Sequence, residues 1–150
     1  HSNLININLE KSNILDLYAG IGSFGLECLS RGAESITFVE KDKEVARILN
    51  ENLISLSLES KSNLIEDKIS NFLKTKNDNK FEIIFLDPPF AEEGFVNDLK
   101  LILKNKIYKK NHIIIIHRER KSTDNLEGVI KTLFIREYGR SKIIFGKFLS

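Results

Sequence analysis

The stretch SNILDLYAGIGSFG, residues 12–25, sets the architecture. An apolar run this short, running into glycines at 20, 22 and 25, reads as a buried strand that enters a tight turn. A helix follows over about Phe24 to Arg31, and Gly32 stops it. Outward from there, SITFVE (35–40) is a second strand, and Lys43 to Leu58 carries Val45, Ile48, Leu49, Asn52 and Leu53 at helical spacing. SNLIED (62–67) is a third strand, followed by a helix over about Ile69 to Lys74. FEIIFLD (81–87) and HIIIIH (112–117) are the fourth and fifth strands, with a helix over about Phe95 to Leu103 between them. VIKTLFIREYG (129–139) and RSKIIFGKFL (140–149) read as two strands joined tightly at Gly139-Arg140, hence antiparallel. This alternation predicts one α/β domain over residues 1–150: a doubly wound, mostly parallel, seven-stranded sheet with a C-terminal antiparallel hairpin.

In such sheets ligands bind beyond the carboxyl ends of the strands, at the switch point that the first strand borders. Gly20 and Gly22 let the backbone turn sharply and approach a ligand closely, and Gly25 lets the helix pack on the sheet. Glu40 ends the second strand, where a carboxylate can accept from a ribose diol. These features fit a dinucleotide and S-adenosylmethionine alike, because both contain adenosine. Asp16 favours the second, since an acid there reaches a cationic amine but repels a pyrophosphate. Asp67 could accept from an adenine amino group with Ile69 packed on the ring, although Asp67 taken alone reads better as a helix N-cap.

Asp87, Pro88, Pro89 and Phe90 separate the two cofactors further. The prolines stiffen the strand exit into an extended corner and remove two N–H donors. Asp87 and the Pro88 carbonyl then offer two acceptors to a planar amino group, whose two hydrogens are the complementary donors. Pulled from both sides, that nitrogen becomes more nucleophilic, and Phe90 supplies a face on which a base stacks. Hydride transfer has no use for such a corner; methyl transfer to an amino group does. By itself the tetrapeptide reads equally as a strand-ending turn.

Composition bounds the rest. The 150 residues are 41% hydrophobic and 29% charged, one ordinary globular domain with enough chain for a core. No stretch has the apolar length of a membrane span and no secretory leader is visible. The single cysteine, Cys28, reads as a buried small hydrophobe. A reducing cytoplasm fits, and His1, His112 and His117 make no metal-ligand spacing with Cys28, so no metal is expected. Residues 1–75 hold 8 Lys/Arg against 11 Asp/Glu, and residues 76–150 hold 15 against 10. The basic excess gathers at Lys100, Lys104, Lys106, Lys109, Lys110, Arg118, Arg120 and Lys121, a run that follows either a phosphate backbone or a solvated face. Arg31 reads as a cation balancing a helix dipole, and Tyr138 and Gly139 as hairpin residues. The chain starts at His1 and has no methionine, which reads as a piece of a longer protein with a segment missing at its N-terminus.

LDLYAGIGSFGLECLSRGAESITFVEKD, followed by DPPF and a late YG, resembles the bacterial RsmD-type ribosomal RNA guanine-N2 methyltransferases from about Ile14 to Phe145. Ser30-Arg31-Gly32-Ala33 behind the glycine helix is the most specific part. The resemblance implies a Rossmann-like class I methyltransferase with S-adenosylmethionine as methyl donor. It implies one guanine of small-subunit (16S) ribosomal RNA as target, presented as free RNA or on the small-subunit particle. It places Asp16, Gly20 and Gly22 at the methionine end, Glu40 at the ribose, Asp67 at the adenine, and Asp87 to Phe90 at the target base. It further implies a basic N-terminal extension that these residues do not include, and DPPF stands here where DPPY is more frequent.

The expected reaction is direct in-line attack by an extruded guanine, stacked on Phe90, with Asp87 or water taking the proton. Arg118 and Arg120, just past the fifth strand, are expected to meet RNA phosphates. The expected enzyme is a monomer. Two other readings stand beside it: a DNA adenine or cytosine amino-methyltransferase, which would need more room for base recognition, and a noncatalytic cofactor-binding or assembly module.

Overall fold

The computed structural model describes residues 9–75, 78–91 and 94–149; His1 lies outside them. Strands β1 (Asn13–Leu17), β2 (Ser35–Glu40), β3 (Ser62–Glu66), β4 (Phe81–Leu86), β5 (Tyr108–Glu119), β6 (Ile130–Tyr138) and β7 (Ser141–Phe148) form one sheet in the order β3-β2-β1-β4-β5-β7-β6. β1 to β5 are mutually parallel, and β7 runs antiparallel to both β5 and β6. The strand order reverses between β1 and β4, which is where an open α/β sheet leaves a crevice.

Strand alternation divides the core in two. Ile14 of β1, with Phe38 and Ile83, packs with Cys28 and Leu29 of α1 (Ser23–Ser30) and Leu49 and Leu53 of α2 (Lys43–Ser55). Leu15 and Leu17, with Ile84 and Leu86, pack against Phe72 and Leu73 of α3 (Ile69–Lys74) and Phe95, Leu99 and Ile102 of α4 (Phe95–Asn105). Helices on both faces make the sheet doubly wound, as expected. Cys28 is buried, and burial pushes its thiol up to about 12, so it behaves as a small hydrophobe.

One helix stop falls at the expected glycine, and two other boundaries differ from the expectation for local reasons. α1 ends in a Schellman motif at Gly32, with Ala33 N–H donating to Cys28 O at 3.0 Å and Gly32 N–H to Leu29 O at 3.0 Å. α2 ends in the same motif, with Leu58 N–H donating to Leu53 O at 2.9 Å, but the left-handed position is Ser57 at φ 57°. No glycine marks that stop, and the helix is shorter than the expected Lys43 to Leu58. β5 starts at Tyr108 rather than His112, because its register with β4 shifts between Phe81 and Ile83 and takes up the polar residues 109–112.

Candidate functional site

The turn after β1 is held by backbone. Tyr18 (φ 58°), Gly20 (φ 58°) and Gly22 (φ 89°) are all left-handed, and a tyrosine there is a strained conformation of the kind that gathers at functional sites. Glu40 fixes the turn from the end of β2: its Oε1 accepts from Gly20 N–H at 2.8 Å and its Oε2 from Asp42 N–H at 2.9 Å. A Cβ at Gly22 would stand 2.3 Å from Leu49 Cδ1, and one at Gly25 would stand 2.3 Å from Phe38 Cε1. Helix α1 can therefore sit this close to the sheet only without a side chain at Gly25.

Asp16 lies beneath that helix, 1% exposed. Neither carboxylate oxygen has a hydrogen-bond partner among the described residues. Burial raises its carboxyl well above the ordinary carboxylate value; the nearby Gly25 backbone N–H, which falls short of a hydrogen bond, offsets part of this, and the Asp87 and Glu40 charges add to it. A buried acid without a partner is costly, and a cation brought to it would relieve that cost.

A cleft of about 470 Å³ opens at the carboxyl ends of β1, β2 and β4, lined among others by Tyr18, Glu40, Ile69, Pro89, Asn97 and Asp98. Tyr18 Oη donates to Asp98 Oδ2 at 2.6 Å across it. Neither Tyr18 nor Asp98 carries a motif; the one signal in the sequence is the position of Tyr18 just before the glycine turn. Asp67 is not among the lining residues. It is exposed, its Oδ1 accepts from Lys68 N–H at 2.7 Å and Asn71 Nδ2 at 2.9 Å, and these bonds, Asn71's first, hold its carboxyl below the usual value. A groove of about 540 Å³ at the opposite, amino edge of β1–β4, lined by Asn13, Ser35 and Ser62, holds none of the expected site residues.

Asp87 to Phe90 follow β4 directly, with Asp87 and Phe90 exposed and Pro89 in the cleft wall. His117, which sequence reading considered only as a metal ligand, places Nδ1 2.8 Å from Asp87 Oδ1 and meets the Phe90 ring edge-on at 5.6 Å. Arg118 corrects its expected role. Its side chain is 1% exposed and cannot meet an RNA phosphate. It donates from Nε to Asp124 Oδ2 at 2.8 Å, from Nη1 to the Pro89 carbonyl at 3.1 Å and from Nη2 to the Phe90 carbonyl at 3.0 Å. Arg120 is exposed, paired with Glu137, and reaches the Gly139 carbonyl at 3.4 Å. The basic run does not form one patch either. Lys109 and Lys110 lie at the start of β5 and Arg120 just past its end, roughly 30 Å apart at ~3.3 Å per residue. Among the described residues no three His, Cys, Asp or Glu side chains converge as a metal site.

The fold is that of a class I methyltransferase, a mostly parallel seven-stranded sheet with a cleft at its switch point, and the glycine turn and the proline corner stand at that edge. The family described as "Conserved hypothetical protein 95" matches residues 2–147, and the chain belongs to that family, the one to which RsmD-type proteins belong. It is 38% identical over 114 residues to "Ribosomal RNA small subunit methyltransferase D" of Haemophilus influenzae, covering 75% of this chain and 59% of that protein. The protein of the same name from Buchnera aphidicola subsp. Baizongia pistaciae is 36% identical over 114 residues, 76% of this chain and 57% of that one. The chain thus spans less than two thirds of the length of these relatives. The crystal structure of HI0767 from Haemophilus influenzae superposes with a TM-score of 0.86 at 30% identity, covering 99% of this chain and 93% of that one.

Proposed function

We propose that this chain is the catalytic domain of an S-adenosylmethionine-dependent methyltransferase acting on the exocyclic N2 of a guanine in small-subunit ribosomal RNA. The observation that carries the reading is a shared wall: Pro89 of the acceptor corner lines the same cleft as Glu40 and Ile69. The cofactor class fits the residues. Asp16 is a buried carboxylate with both oxygens unpartnered among the described residues, suited to the cationic amine of a methionine moiety and unsuited to a pyrophosphate. Gly20 and Gly22 hold the backbone open beside it, Glu40 faces the ribose, and Ile69 packs the adenine, with Asp67 at the same turn. Bound there, S-adenosylmethionine supplies an electrophilic methyl group.

Asp87 and the Pro88 carbonyl orient the amino group and draw on its hydrogens, and Phe90 stacks on the base. Asp87 is the nearest carboxylate to take the proton that the amino nitrogen must lose. The names of the relatives support an RNA target, and the guanine N2 assignment rests on the RsmD-type resemblance. The test is transfer of labelled methyl to small-subunit RNA and to small-subunit particles, followed by digestion to nucleosides. N2-methylguanosine is the expected product. N6-methyladenine or N4-methylcytosine formed in DNA, with RNA untouched, would overturn the reading in favour of a DNA enzyme.

A further inference from the structure

Successive strand residues point to opposite faces of a sheet, yet both side chains near the end of β5 reach the tetrapeptide. From one face His117 engages Asp87 Oδ1 at 2.8 Å. From the other Arg118 engages the Pro89 and Phe90 carbonyls at 3.1 and 3.0 Å. Arg118 is itself locked. Asp124 accepts from its Nε at 2.8 Å and Nη2 at 3.2 Å, Ser122 Oγ donates to Asp124 at 2.9 Å, and the Phe95 ring lies 4.5 Å beneath the guanidinium. Burial alone would raise the Asp124 carboxyl, but the Arg118 and Ser122 hydrogen bonds outweigh it and hold it below its usual value. The pair is therefore charged and its geometry is fixed.

We propose that the end of β5 is a two-sided clamp in which Arg118 and His117 act as positioning residues, occupying three acceptors of the corner so that Asp87 Oδ2 and the Pro88 carbonyl receive the amino group. The proposal rests on the amino-methyltransferase reading above. Asp87 to Phe90 present six oxygens suited to an N–H donor: two carboxylate oxygens and the four backbone carbonyls. An amino group has two hydrogens, so an unclamped corner admits several poses. With Asp87 Oδ1, Pro89 O and Phe90 O engaged, the choice falls from six oxygens to three, and among these Asp87 Oδ2 and the Pro88 carbonyl are the pair that flanks the first proline. The Arg118 fork suits this task because it satisfies a carboxylate and two carbonyls at once, which an ammonium cannot do.

Three variants of the full-length protein test the clamp. Arg118→Lys keeps a charge for Asp124 and loses the fork. His117→Leu removes the donor to Asp87, and His117→Asn restores an N–H close to the Nδ1 position. Arg118→Lys and His117→Leu should each lower kcat at least ~10-fold while S-adenosylhomocysteine affinity stays within about threefold, because a small misplacement of the acceptors acts on turnover. His117→Asn should recover most of the loss. A readout without substrate is hydrogen exchange of the Arg118 Nε–H by NMR, which should be far slower than that of exposed Arg47. Unchanged kcat in both Arg118→Lys and His117→Leu, cofactor affinity falling in step with kcat, or Arg118 exchanging as fast as Arg47 would overturn the clamp. If Arg118→Lys does not fold, the His117 pair and the exchange rate decide. If the parent protein moves no methyl group to RNA, the substrate reading fails, and the Nε–H rate still decides the clamp.

Discussion

The glycine turn and the acceptor corner stand at the carboxyl ends of neighbouring strands, but they are made in opposite ways. The turn consists of missing side chains and a missing partner: Gly22 and Gly25 exclude a Cβ, and Asp16 is buried without a hydrogen bond among the described residues. The corner is over-determined, with two prolines in sequence, Arg118 and His117 bonded directly to it, and Asp124 holding Arg118. On the proposed reading, the end that closes around a charged cofactor holds its instability in the empty state, and the end that presents acceptors in one geometry is fixed beforehand.

Four changes should separate the two ends, from the largest effect downward. Asp87→Ala should lower methyl transfer by about 10²–10³-fold and leave S-adenosylhomocysteine affinity within about threefold, as read by steady-state kinetics beside calorimetry. A parallel loss of affinity would erase the distinction. Asp16→Asn should weaken S-adenosylhomocysteine by about 30-fold or more, since it removes one side of a buried charge pair. At pH 8 without cofactor it should melt higher than the parent, because the buried carboxylate is gone. Gly25→Ala should cost about 1–3 kcal/mol of stability by overpacking against Phe38, seen in denaturant unfolding, whereas Gly139→Ala in the hairpin turn meets no neighbour within 4 Å and should cost only the ~1 kcal/mol strain of an alanine at φ 53°.

The smallest effect is in acid, and its sign differs between the ends. The Asp16 carboxyl is raised in the fold, so the folded chain binds a proton that the unfolded chain does not between the ordinary carboxylate value, about 3.9, and the raised one. Stability from this group therefore increases as pH falls through the raised value. The Asp124 carboxyl is depressed, so its contribution is present above about 3.9 and is lost as pH falls towards its folded value. Melting curves of the parent, Asp16→Asn and Asp124→Asn between pH 8 and pH 3 should show the parent approaching Asp16→Asn first and Asp124→Asn later.

What sequence made legible follows the same division. The five parallel strands, the closing hairpin and the Gly32 stop were readable because apolar runs and glycines act locally. The left-handed Ser57 and the bulged start of β5 were not, since neither residue type announces its conformation. The placement of Glu40 at the end of β2, of Asp16 near the end of β1 and of the proline corner behind β4 was readable from the apolar runs that precede them. Arg118 was misplaced as a phosphate contact because its burial depends on Asp124 and on Pro89 and Phe90, 29 and 28 residues away in the chain. His117 was passed over because its partner Asp87 is 30 residues distant.

The central claim is that the cofactor end binds through Asp16 independently of the acceptor corner. Calorimetric titration of S-adenosylhomocysteine into the parent, Asp16→Asn and Asp87→Ala, with NADH as control, tests it most directly. Binding to the parent and to Asp87→Ala, strong loss in Asp16→Asn, and no heat from NADH are expected. Binding of NADH in place of S-adenosylhomocysteine, or undiminished binding to Asp16→Asn, would contradict it.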